Sequence, residues 1–287
     1  MLVAPLPNQP KENWEAAVRW LRDQPGQEAL VRAAYFDDPI DAAVERYWQS
    51  NEWEAVRTLI GRGPGRVLDV GAGRGIASYA LARDGWTVAA LEPDPSPLVG
   101  SGAIRDIAAR QGLAIEVSDQ VDPLAFPSAS FDAIFARAVL HHIPDLKAAM
   151  REFFRVLKPG GLLVAAREHV LSDDADLPAF LAAHPLHHRY GGEMAYRLPI
   201  YIDAIASAGF KVETVIGSLD SPINYGPQTT TELADAMARQ LVRVSSLTGI
   251  ASLILRAPVI GQGLRRLATR VDRRPGRHAS FVARRPA

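Results

Sequence analysis

Short apolar runs alternate along this chain with longer segments whose apolar residues recur every three or four positions. Continuous or alternating apolar runs indicate strands, and the longer spacing indicates helices that bury one face. Seven runs are predicted strands: 66–70, 87–91, 114–117, 131–136, 162–166, 211–216 and 280–284. Predicted helices lie between most of them, at 76–83, 97–110, 145–157 and 199–208. This alternation favours a mostly parallel sheet with right-handed crossovers.

Two further groups of helices are predicted outside this alternation. The residues before the first strand have apolar positions at helical spacing, which predicts an N-terminal helical cap. A long segment between the sixth and seventh strands predicts a helical insertion. The expected order is cap 1–64, core 65–226, insertion 227–275 and last strand 276–287. The predicted fold class is α/β, a Rossmann-like, seven-stranded, mostly parallel sheet with these two additions.

The composition is that of a folded chain without a secretory or membrane-spanning signature. Of the 287 residues, 48% are hydrophobic and 22% are charged, which is ordinary for a soluble domain. The absence of cysteine excludes disulfides and thiolate metal sites. Residues 1–11 lack the basic and apolar regions of a secretory signal, and the longest apolar stretch, 249–255, is far shorter than the ~20 residues of a spanning helix. We therefore expect a cytoplasmic protein.

Positive charge is concentrated near the C-terminus, although the formal net charge is zero. Residues 256–287 contain nine arginines and one acid, Asp272. Such a segment suits a solvated helix face, an acidic surface of the same protein, an anionic membrane or a phosphorylated ligand. Peripheral membrane contact through 249–274 and a homo-oligomer are both open interpretations. Apart from Phe281 this segment lacks aromatic residues for base stacking, so we expect no nucleic-acid partner.

A glycine turn follows the first predicted strand and leads directly into a helix. Its glycines, Gly71, Gly73 and Gly75, follow the pattern G-x-G-x-G and not the dinucleotide fingerprint G-x-G-x-x-G. Asp69 stands two residues before the first of them. A carboxylate at that place disfavours a pyrophosphate and favours a cationic amino group, which S-adenosylmethionine (SAM) carries. Glu92 ends the second strand about 20 residues later, where an acid binds ribose hydroxyls in sheets of this kind.

Four ordered motifs resemble those of the class I SAM-dependent methyltransferases that act on small molecules: residues 67–75, 91–93, 131–134 and 157–161. The resemblance implies SAM as the cofactor, with the glycine backbone against its methionine part, Asp69 near its amino group and Glu92 on its ribose. It also implies an adenine contact from Asp119 with Gln120. The residues assigned to the SAM pocket are Asp69, Gly71, Ala72, Gly73, Glu92, Pro93, Asp119, Gln120 and Arg137.

The segment after the fourth strand bears on the acceptor. Methyltransferases that act on adenine bases or glutamine amides have an Asn/Asp-Pro-Pro-aromatic motif there, whereas this chain has Ala-Arg-Ala-Val at 136–139. Residues 140–145 resemble a form that is common in small-molecule methyltransferases. We expect methyl transfer to a small-molecule or lipid- or sugar-type acceptor, with oxygen preferred over nitrogen or carbon. The alternative is a protein that uses the fold for binding or assembly without turnover.

Six of the seven histidines fall between residues 141 and 188. An imidazole titrates near neutrality and can take the proton of an attacking hydroxyl. Imidazoles and carboxylates together are also ligands of a divalent metal, and polar packing of loops is a third interpretation. The catalytic candidates are His142, Glu168, His169, His184, His188 and Glu193. The metal alternative uses His169, His184 and His188, and the loop 184–196 is expected to form one wall of the acceptor site.

Overall fold

A computed structural model describes residues 12–242 and 245–287. The strands are β1 (Arg66–Val70), β2 (Thr87–Leu91), β3 (Ile115–Ser118), β4 (Phe131–Arg137), β5 (Leu157–Leu171), β6 (Tyr196–Arg197), β7 (Lys211–Ile216) and β8 (Arg277–Arg284). They form one sheet in the order β3-β2-β1-β4-β5-β8-β7, and β6 pairs with β5. β8 is antiparallel to both β5 and β7, and the remaining pairs are parallel. The predicted α/β fold with a mostly parallel sheet is confirmed.

The predicted strands differ from the observed ones mainly at β5 and β8. The other five predicted strands agree with the structure to within one residue at each end. β5 begins earlier than predicted, at Leu157, which pairs with Phe131 of β4. β5 and β8 also continue to pair with one another beyond Ala166, with His169 opposite His278. Polar residues in this stretch hide the strand from a hydrophobic pattern. The extension has a functional consequence, since it carries Glu168 and His169 beyond the end of β4.

Helices cover the sheet and its edges. In the described part of the chain the α-helices are α1 (Trp14–Asp23), α2 (Glu28–Ala33), α3 (Ile40–Trp48), α4 (Asn51–Ile60), α5 (Ile76–Arg83), α6 (Ser101–Gln111), α7 (Leu146–Val156), α8 (Leu177–Ala183), α9 (His187–Tyr190), α10 (Leu198–Ser207), α11 (Pro222–Tyr225), α12 (Thr230–Leu241), α13 (Ser245–Arg256) and α14 (Pro258–Val271). Two short 3-10 helices lie at Leu140–His142 and Asp174–Asp176. Helices therefore separate most of the parallel strands, as the sequence pattern predicts.

The alternation of side chains along the strands divides the core into two layers. Leu68 and Val70 of β1 pack on the side of α7 and α10, in one cluster with Met150 and Tyr201. Val67, next to Leu68 in the pleat, faces the opposite layer, which contains residues of α3, α4 and α5. Successive side chains of a strand point to opposite faces, so one apolar run supplies both layers. The polar side chains described below lie at the carboxyl ends of the strands, outside these two apolar layers.

The N-terminal helices are anchored to the sheet by buried aromatic residues. Tyr47 and Trp53 are fully buried in the layer that also contains Phe135 of β4. The indole N–H groups of Trp48 and Trp53 donate to the carboxylate of Asp84, at 3.0 and 2.8 Å. Each indole thus packs against the core with its single donor satisfied. The aromatic residues of this segment hold α3 and α4 against the core.

The described part of the predicted insertion 227–275 contains α12, α13 and α14. Thr229 and Glu232 form a capping box at the start of α12, which satisfies free backbone N–H groups there. Among residues 12–242 and 245–287, no single helix is long and apolar enough to cross a membrane. Leu247–Arg256 and Pro258–Val271 meet the length and hydropathy criteria only as a pair, and the chain bends by 97° between them.

Candidate functional site

The glycine turn after β1 is a narrow left-handed bend. Gly71, Gly73 and Gly75 have φ angles of +61°, +54° and +86°, a region that residues with a Cβ rarely adopt. The amide of Gly71 donates to the carbonyl of Leu91 at 2.9 Å, so the turn is tied to the end of β2. A Cβ on Gly71 would lie 2.5 Å from a methyl carbon of Val139. The turn therefore also touches the segment that follows β4.

Two carboxylates stand at the ends of the neighbouring strands β1 and β2. Asp69 is 1% exposed and accepts a hydrogen bond of 2.6 Å from the hydroxyl of Ser78. Burial raises the pKa of Asp69 to about 7, although the Ser78 hydroxyl lowers it in part. Glu92 accepts the amides of Gly73 and Asp94 at 2.7 and 2.9 Å. Burial also raises the pKa of Glu92, against the effect of these two amides.

The other predicted SAM residues lie along the same edge of the sheet in different environments. Ala72 is half-buried in the glycine turn, and Pro93 is exposed after β2. Asp119 and Gln120 are exposed immediately after β3, whose last carbonyl, that of Ser118, accepts the amide of Glu92. The end of β3 is therefore joined to the end of β2. The side-chain amide of Gln120 donates to the carbonyl of Pro123 at 2.8 Å.

Arg137, also predicted to bind SAM, is engaged with the N-terminal helices. Its guanidinium donates to both carboxylate oxygens of Glu52, at 2.6 and 3.2 Å. It also lies over the rings of Tyr35 and Tyr47, 5.6 and 5.4 Å from their centroids. Glu52 is 2% exposed and has a second cationic neighbour in Arg167, at 3.4 Å. The charge of Arg137 is thus matched by a buried acid of α4.

A buried glutamate and histidine pair stands at the ends of β4 and β5. Glu168 is fully buried and accepts the backbone amides of Val139 and His141, at 3.2 and 3.1 Å. The same carboxylate lies 2.7 Å from Nδ1 of His141. This contact holds the proton on Nδ1 and leaves Nε2 of His141 as an acceptor. His141 is not among the residues predicted from sequence, because its neighbour His142 has the same residue type and only the 3-10 turn at 140–142 distinguishes them.

Glu193 lies at the centre of three imidazoles. Its side chain is 4% exposed, and one carboxylate oxygen lies 4.0, 3.9 and 3.8 Å from Nε2 of His141, His142 and His184. These distances exceed those of direct hydrogen bonds. Nδ1 of His142 is 3.0 Å from the carbonyl of Gly192, which ties the segment after β4 to the loop 184–196. The predicted candidates His142, His184 and Glu193 are therefore brought together.

His169 belongs to the same cluster, and β8 adds a histidine that no sequence pattern singles out. Nδ1 of His169 lies 2.8 Å from the carbonyl of Gly276, and its ring is 4.8 Å from that of His141. His278, opposite His169 in the β5–β8 register, has its ring centroid 4.9 Å away. His278 is distant in sequence from the other histidines, so only the antiparallel pairing of β8 reveals it.

The predicted metal trio is not the group that the structure assembles. His188 is exposed, and its Nε2 lies 3.2 Å from the carbonyl of Ala182. His188 lies on the four-residue helix α9, which follows the turn after His184. This helix places the His188 side chain at the surface, whereas His184 lies beside Glu193. Among the described residues, the group whose ligand atoms all lie within 4.8 Å of one another consists of His141, His169 and Glu193.

Burial lowers the pKa values of His142, His169 and His184. It lowers the pKa of His142 to about 4, with a smaller contribution from His141. It lowers the pKa of His169 well below the ordinary value, where His141 and His278 act in the same direction. The pKa of His184 is also lowered by burial, although Glu193 opposes the change. A neutral imidazole keeps a lone pair that can accept a proton or bind a ligand.

Comparison with known proteins finds similarity to methyltransferases in the middle of the chain. Residues 68–165 match the family model of a methyltransferase domain. A ubiquinone biosynthesis O-methyltransferase of Methylocella silvestris is 33% identical over 137 residues, which cover 47% of this chain and 51% of that protein. A demethylmenaquinone methyltransferase of Mycolicibacterium paratuberculosis is 36% identical over 123 residues, covering 42% and 47%. This chain therefore matches about half the length of these curated relatives.

Solved structures share the fold at low sequence identity. The geranyl diphosphate C-methyltransferase of Streptomyces coelicolor superposes with a TM-score of 0.57 and 15% identity, over 94% of this chain and 97% of that one. The cyclase SpnF superposes with a TM-score of 0.55 and 21% identity, over 86% and 82%. Residues 68–165 thus match the methyltransferase domain model, and the chain has the fold of these solved structures.

Proposed function

We propose that this protein transfers a methyl group from SAM to a small-molecule acceptor. The observation that carries the proposal is the pair of buried carboxylates, Asp69 and Glu92, at the ends of neighbouring parallel strands beside a glycine turn. SAM has an ammonium group, two ribose hydroxyls and no phosphate. A pocket with two carboxylates therefore suits SAM better than it suits a dinucleotide, whose phosphates are negatively charged. The match of residues 68–165 to a methyltransferase domain supports the same assignment.

Each pocket residue has a role in this proposal. A cationic amino group near Asp69 would favour the ionised form of a carboxyl whose burial otherwise opposes ionisation. Glu92 is held in one orientation by two backbone amides and is assigned to the ribose hydroxyls. The exposed pair of Asp119 and Gln120 after β3 is assigned to the adenine. Arg137 is bound to Glu52, and we assign it to holding α4 over the pocket and not to SAM itself.

The histidine cluster is assigned to the acceptor. SAM supplies the electrophilic methyl group when it is bound, and its sulfur leaves as a neutral thioether. The protein must therefore position the nucleophile and take its proton. His142 and His184 are partly exposed beside Glu193, and we assign the lone pair of a neutral imidazole there to accept the proton of the hydroxyl. His188 faces away from this group, and we assign it no catalytic role.

An aromatic hydroxyl is the acceptor that we propose. The two curated relatives are named for ubiquinone and menaquinone chemistry, and a further relative at 30% identity is a 2-methyl-6-phytyl-1,4-hydroquinone methyltransferase of Synechocystis. Those names concern quinol-type rings, and a ring hydroxyl is a nucleophile whose proton a neutral imidazole can take. Oxygen is therefore our preferred atom, and a ring carbon is the alternative.

We also propose that α13 and α14 contact an anionic membrane. Nine large apolar side chains of these helices are exposed: Leu247, Ile250, Leu253, Ile254, Val259, Ile260, Leu264, Leu267 and Val271. Arginines at 266, 270 and 273 are exposed beside them. An apolar helix face with a basic border suits the boundary between headgroups and acyl chains. A lipid-like acceptor would be met at the same surface.

Calorimetric titration with SAM and with S-adenosylhomocysteine tests the proposed activity first. Both ligands are expected to bind at one site, and Glu92→Ala is expected to weaken both. Incubation with SAM and a panel of catechols and hydroquinones should then yield singly methylated products, and mass spectrometry of the fragments locates the methyl group on oxygen or carbon. A protein that binds neither ligand would contradict the proposal.

The competing hypothesis is a protein that uses this fold without methyl transfer. It is supported by SpnF, a cyclase that shares this fold. A fold does not by itself determine which reaction a protein catalyses. Binding of SAM without consumption of SAM, over the whole acceptor panel, would favour this alternative. A stable homo-oligomer that forms through α13 and α14, measured by light scattering, would favour assembly over membrane contact.

A further inference from the structure

Three imidazoles near the ends of β4 and β5 share one hydrogen-bonding pattern. Nδ1 of His141 faces the carboxylate of Glu168 at 2.7 Å, that of His142 faces the carbonyl of Gly192 at 3.0 Å, and that of His169 faces the carbonyl of Gly276 at 2.8 Å. Carbonyl and carboxylate oxygens accept and cannot donate, so Nδ1 carries the proton in each ring. The Nε2 lone pairs are therefore the free ones.

These lone pairs meet a buried carboxylate that lacks a short contact to them. Glu193 is 4% exposed, and one of its carboxylate oxygens lies 4.0 Å from Nε2 of His141 and 3.9 Å from Nε2 of His142. The ligand atoms of His141, His169 and Glu193 all lie within 4.8 Å of one another. Ligands about 2.1 Å from one ion are separated by roughly 3 to 4 Å, so a small contraction suffices for coordination. A buried carboxylate is favourable only with a counter-charge or hydrogen bonds.

We propose that Nε2 of His141, Nε2 of His169 and the Glu193 carboxylate bind one divalent transition-metal ion, such as zinc, iron or cobalt. Two imidazoles and one carboxylate suit these ions better than magnesium, which prefers oxygen ligands. The second ring nitrogens are already held by Glu168 and by the Gly276 carbonyl, as is usual for metal-bound histidine. Nε2 of His142 and Nε2 of His184 also lie within 4.0 Å of the Glu193 carboxylate.

This site deepens the proposed function and rests on it for the identity of the acceptor. An ion held by three protein ligands keeps coordination positions for oxygen atoms of a substrate. Two adjacent oxygens, as in a catechol or an ortho-hydroxyketone, would bind as a chelate and be oriented together. The ion would lower the pKa of the bound hydroxyl, so that its proton could pass to water before the methyl transfer. The acceptor class is therefore narrowed to rings with two neighbouring oxygens.

Cobalt(II) titration of the purified full-length protein, after removal of metals with a chelator, tests the site without any methyl transfer. One equivalent of cobalt is expected to produce visible absorption bands of a site with nitrogen and oxygen ligands. His141→Ala, His169→Ala and Glu193→Gln are each expected to weaken cobalt binding by about a hundredfold or more, since each removes a ligand. His188→Ala is the matched control and should bind cobalt as the wild type does.

The SAM affinity of each variant is measured as well. It distinguishes loss of the metal site from misfolding of the variant and from failure of the proposed SAM-dependent function. Variants that retain SAM binding and lose cobalt binding would support the site. Equal cobalt affinity in the three variants and in His188→Ala, or no stoichiometric cobalt binding by wild type, would overturn it and leave the SAM assignment intact. Cobalt binding without SAM binding would instead overturn the proposed function. Glu168→Gln, which changes the partner of the His141 ring and of two backbone amides but removes no ligand, should weaken cobalt binding by about tenfold.

Discussion

At the scale of single residues, Asp69 shows a conflict between stability and ligand binding. Burial raises its pKa from 3.8 to about 7. Because the folded pKa exceeds the unfolded one, the folded state binds more protons between these values. Its contribution to stability is therefore fully present below pH 4 and is lost as the pH rises toward 7. The loss is on the order of 4 kcal/mol, because each tenfold change in the protonation equilibrium corresponds to about 1.4 kcal/mol.

Asp69→Asn is expected to be more stable than wild type at pH 7 to 8, and this difference should disappear near pH 4. Urea unfolding at four pH values between 4 and 8 measures it. Asp132→Asn is the control, because it is expected to change the stability in the opposite direction. Burial alone would raise the pKa of Asp132, but the Arg66 amide and Lys158 lower it overall, so this variant should be less stable than wild type above pH 4. A pH-independent difference for Asp69→Asn would contradict its assigned titration.

Glu92 provides the second residue-scale prediction. Its two oxygens are oriented by the amides of Gly73 and Asp94, so the carboxylate is placed for a ligand with two hydroxyls. Glu92→Ala should weaken SAM binding more than about tenfold, because charged hydrogen bonds contribute about 1.5 to 3 kcal/mol each. Calorimetry measures this change. Glu116→Ala, on the exposed side of β3, should leave it unaltered, and an unchanged affinity in Glu92→Ala would place the ribose elsewhere.

At the scale of elements, the turn between β1 and α5 is locked by the segment after β4. Gly71 has a φ of +61°, and an added Cβ would lie 2.5 Å from Val139. Gly112, at the end of α6, has a φ of +64° with nothing within 4 Å of such a Cβ. The two glycines therefore share a backbone conformation and differ in packing. Substituting each glycine by alanine therefore separates the cost of the left-handed backbone conformation from the cost of overpacking.

Gly112→Ala is expected to destabilise the fold by about 1 kcal/mol, the value for a left-handed residue with a Cβ. Gly71→Ala should destabilise it by about 2 to 4 kcal/mol, because overpacking against Val139 is added. Urea unfolding at one pH measures both. Combining Gly71→Ala with Val139→Ala should remove most of the difference between them. Equal losses for the two glycines would show that Val139 moves aside without penalty.

At the scale of the whole molecule, α13 and α14 expose an apolar surface that the rest of the described chain leaves uncovered. We expect sedimentation with vesicles that contain anionic lipid, and we expect it to weaken as salt screens the arginines. Leu253 and Val259 are 71% and 84% exposed, so Leu253→Glu with Val259→Glu should preserve the fold. That double variant should bind vesicles more weakly by at least about tenfold, since its apolar contacts are lost.

Val121→Glu is the control for this surface. Val121 is 52% exposed in the loop after β3, far along the chain from the insertion, so its variant should sediment as the wild type does. Equal vesicle binding by the double variant and by Val121→Glu would contradict membrane contact through α13 and α14. Loss of a dimer in the double variant, with no vesicle binding by either protein, would assign the surface to self-association.

Much of the fold was predictable from local pattern, because each core strand is a short apolar run between helical segments. The same pattern predicted the placement of Asp69 and Glu92, since the ends of parallel strands meet at one edge of the sheet. The limits of prediction appear in β5, where polar residues continue a strand through its pairing with β8 and β6. A second limit is the pair His141 and His142. These adjacent histidines have different partners, Glu168 and the Gly192 carbonyl, which the sequence does not distinguish.

The sequence by itself determined the alternation of strands and helices, the glycine turn and the acids that follow β1 and β2, because these depend on residues close together in the chain. Only the tertiary structure decided which side chains form the histidine cluster. His278 reaches it through an antiparallel register, Glu193 through a loop, and His188 is turned away by a four-residue helix. Contacts between residues far apart in sequence depend on the folding of the whole chain, which no local pattern contains.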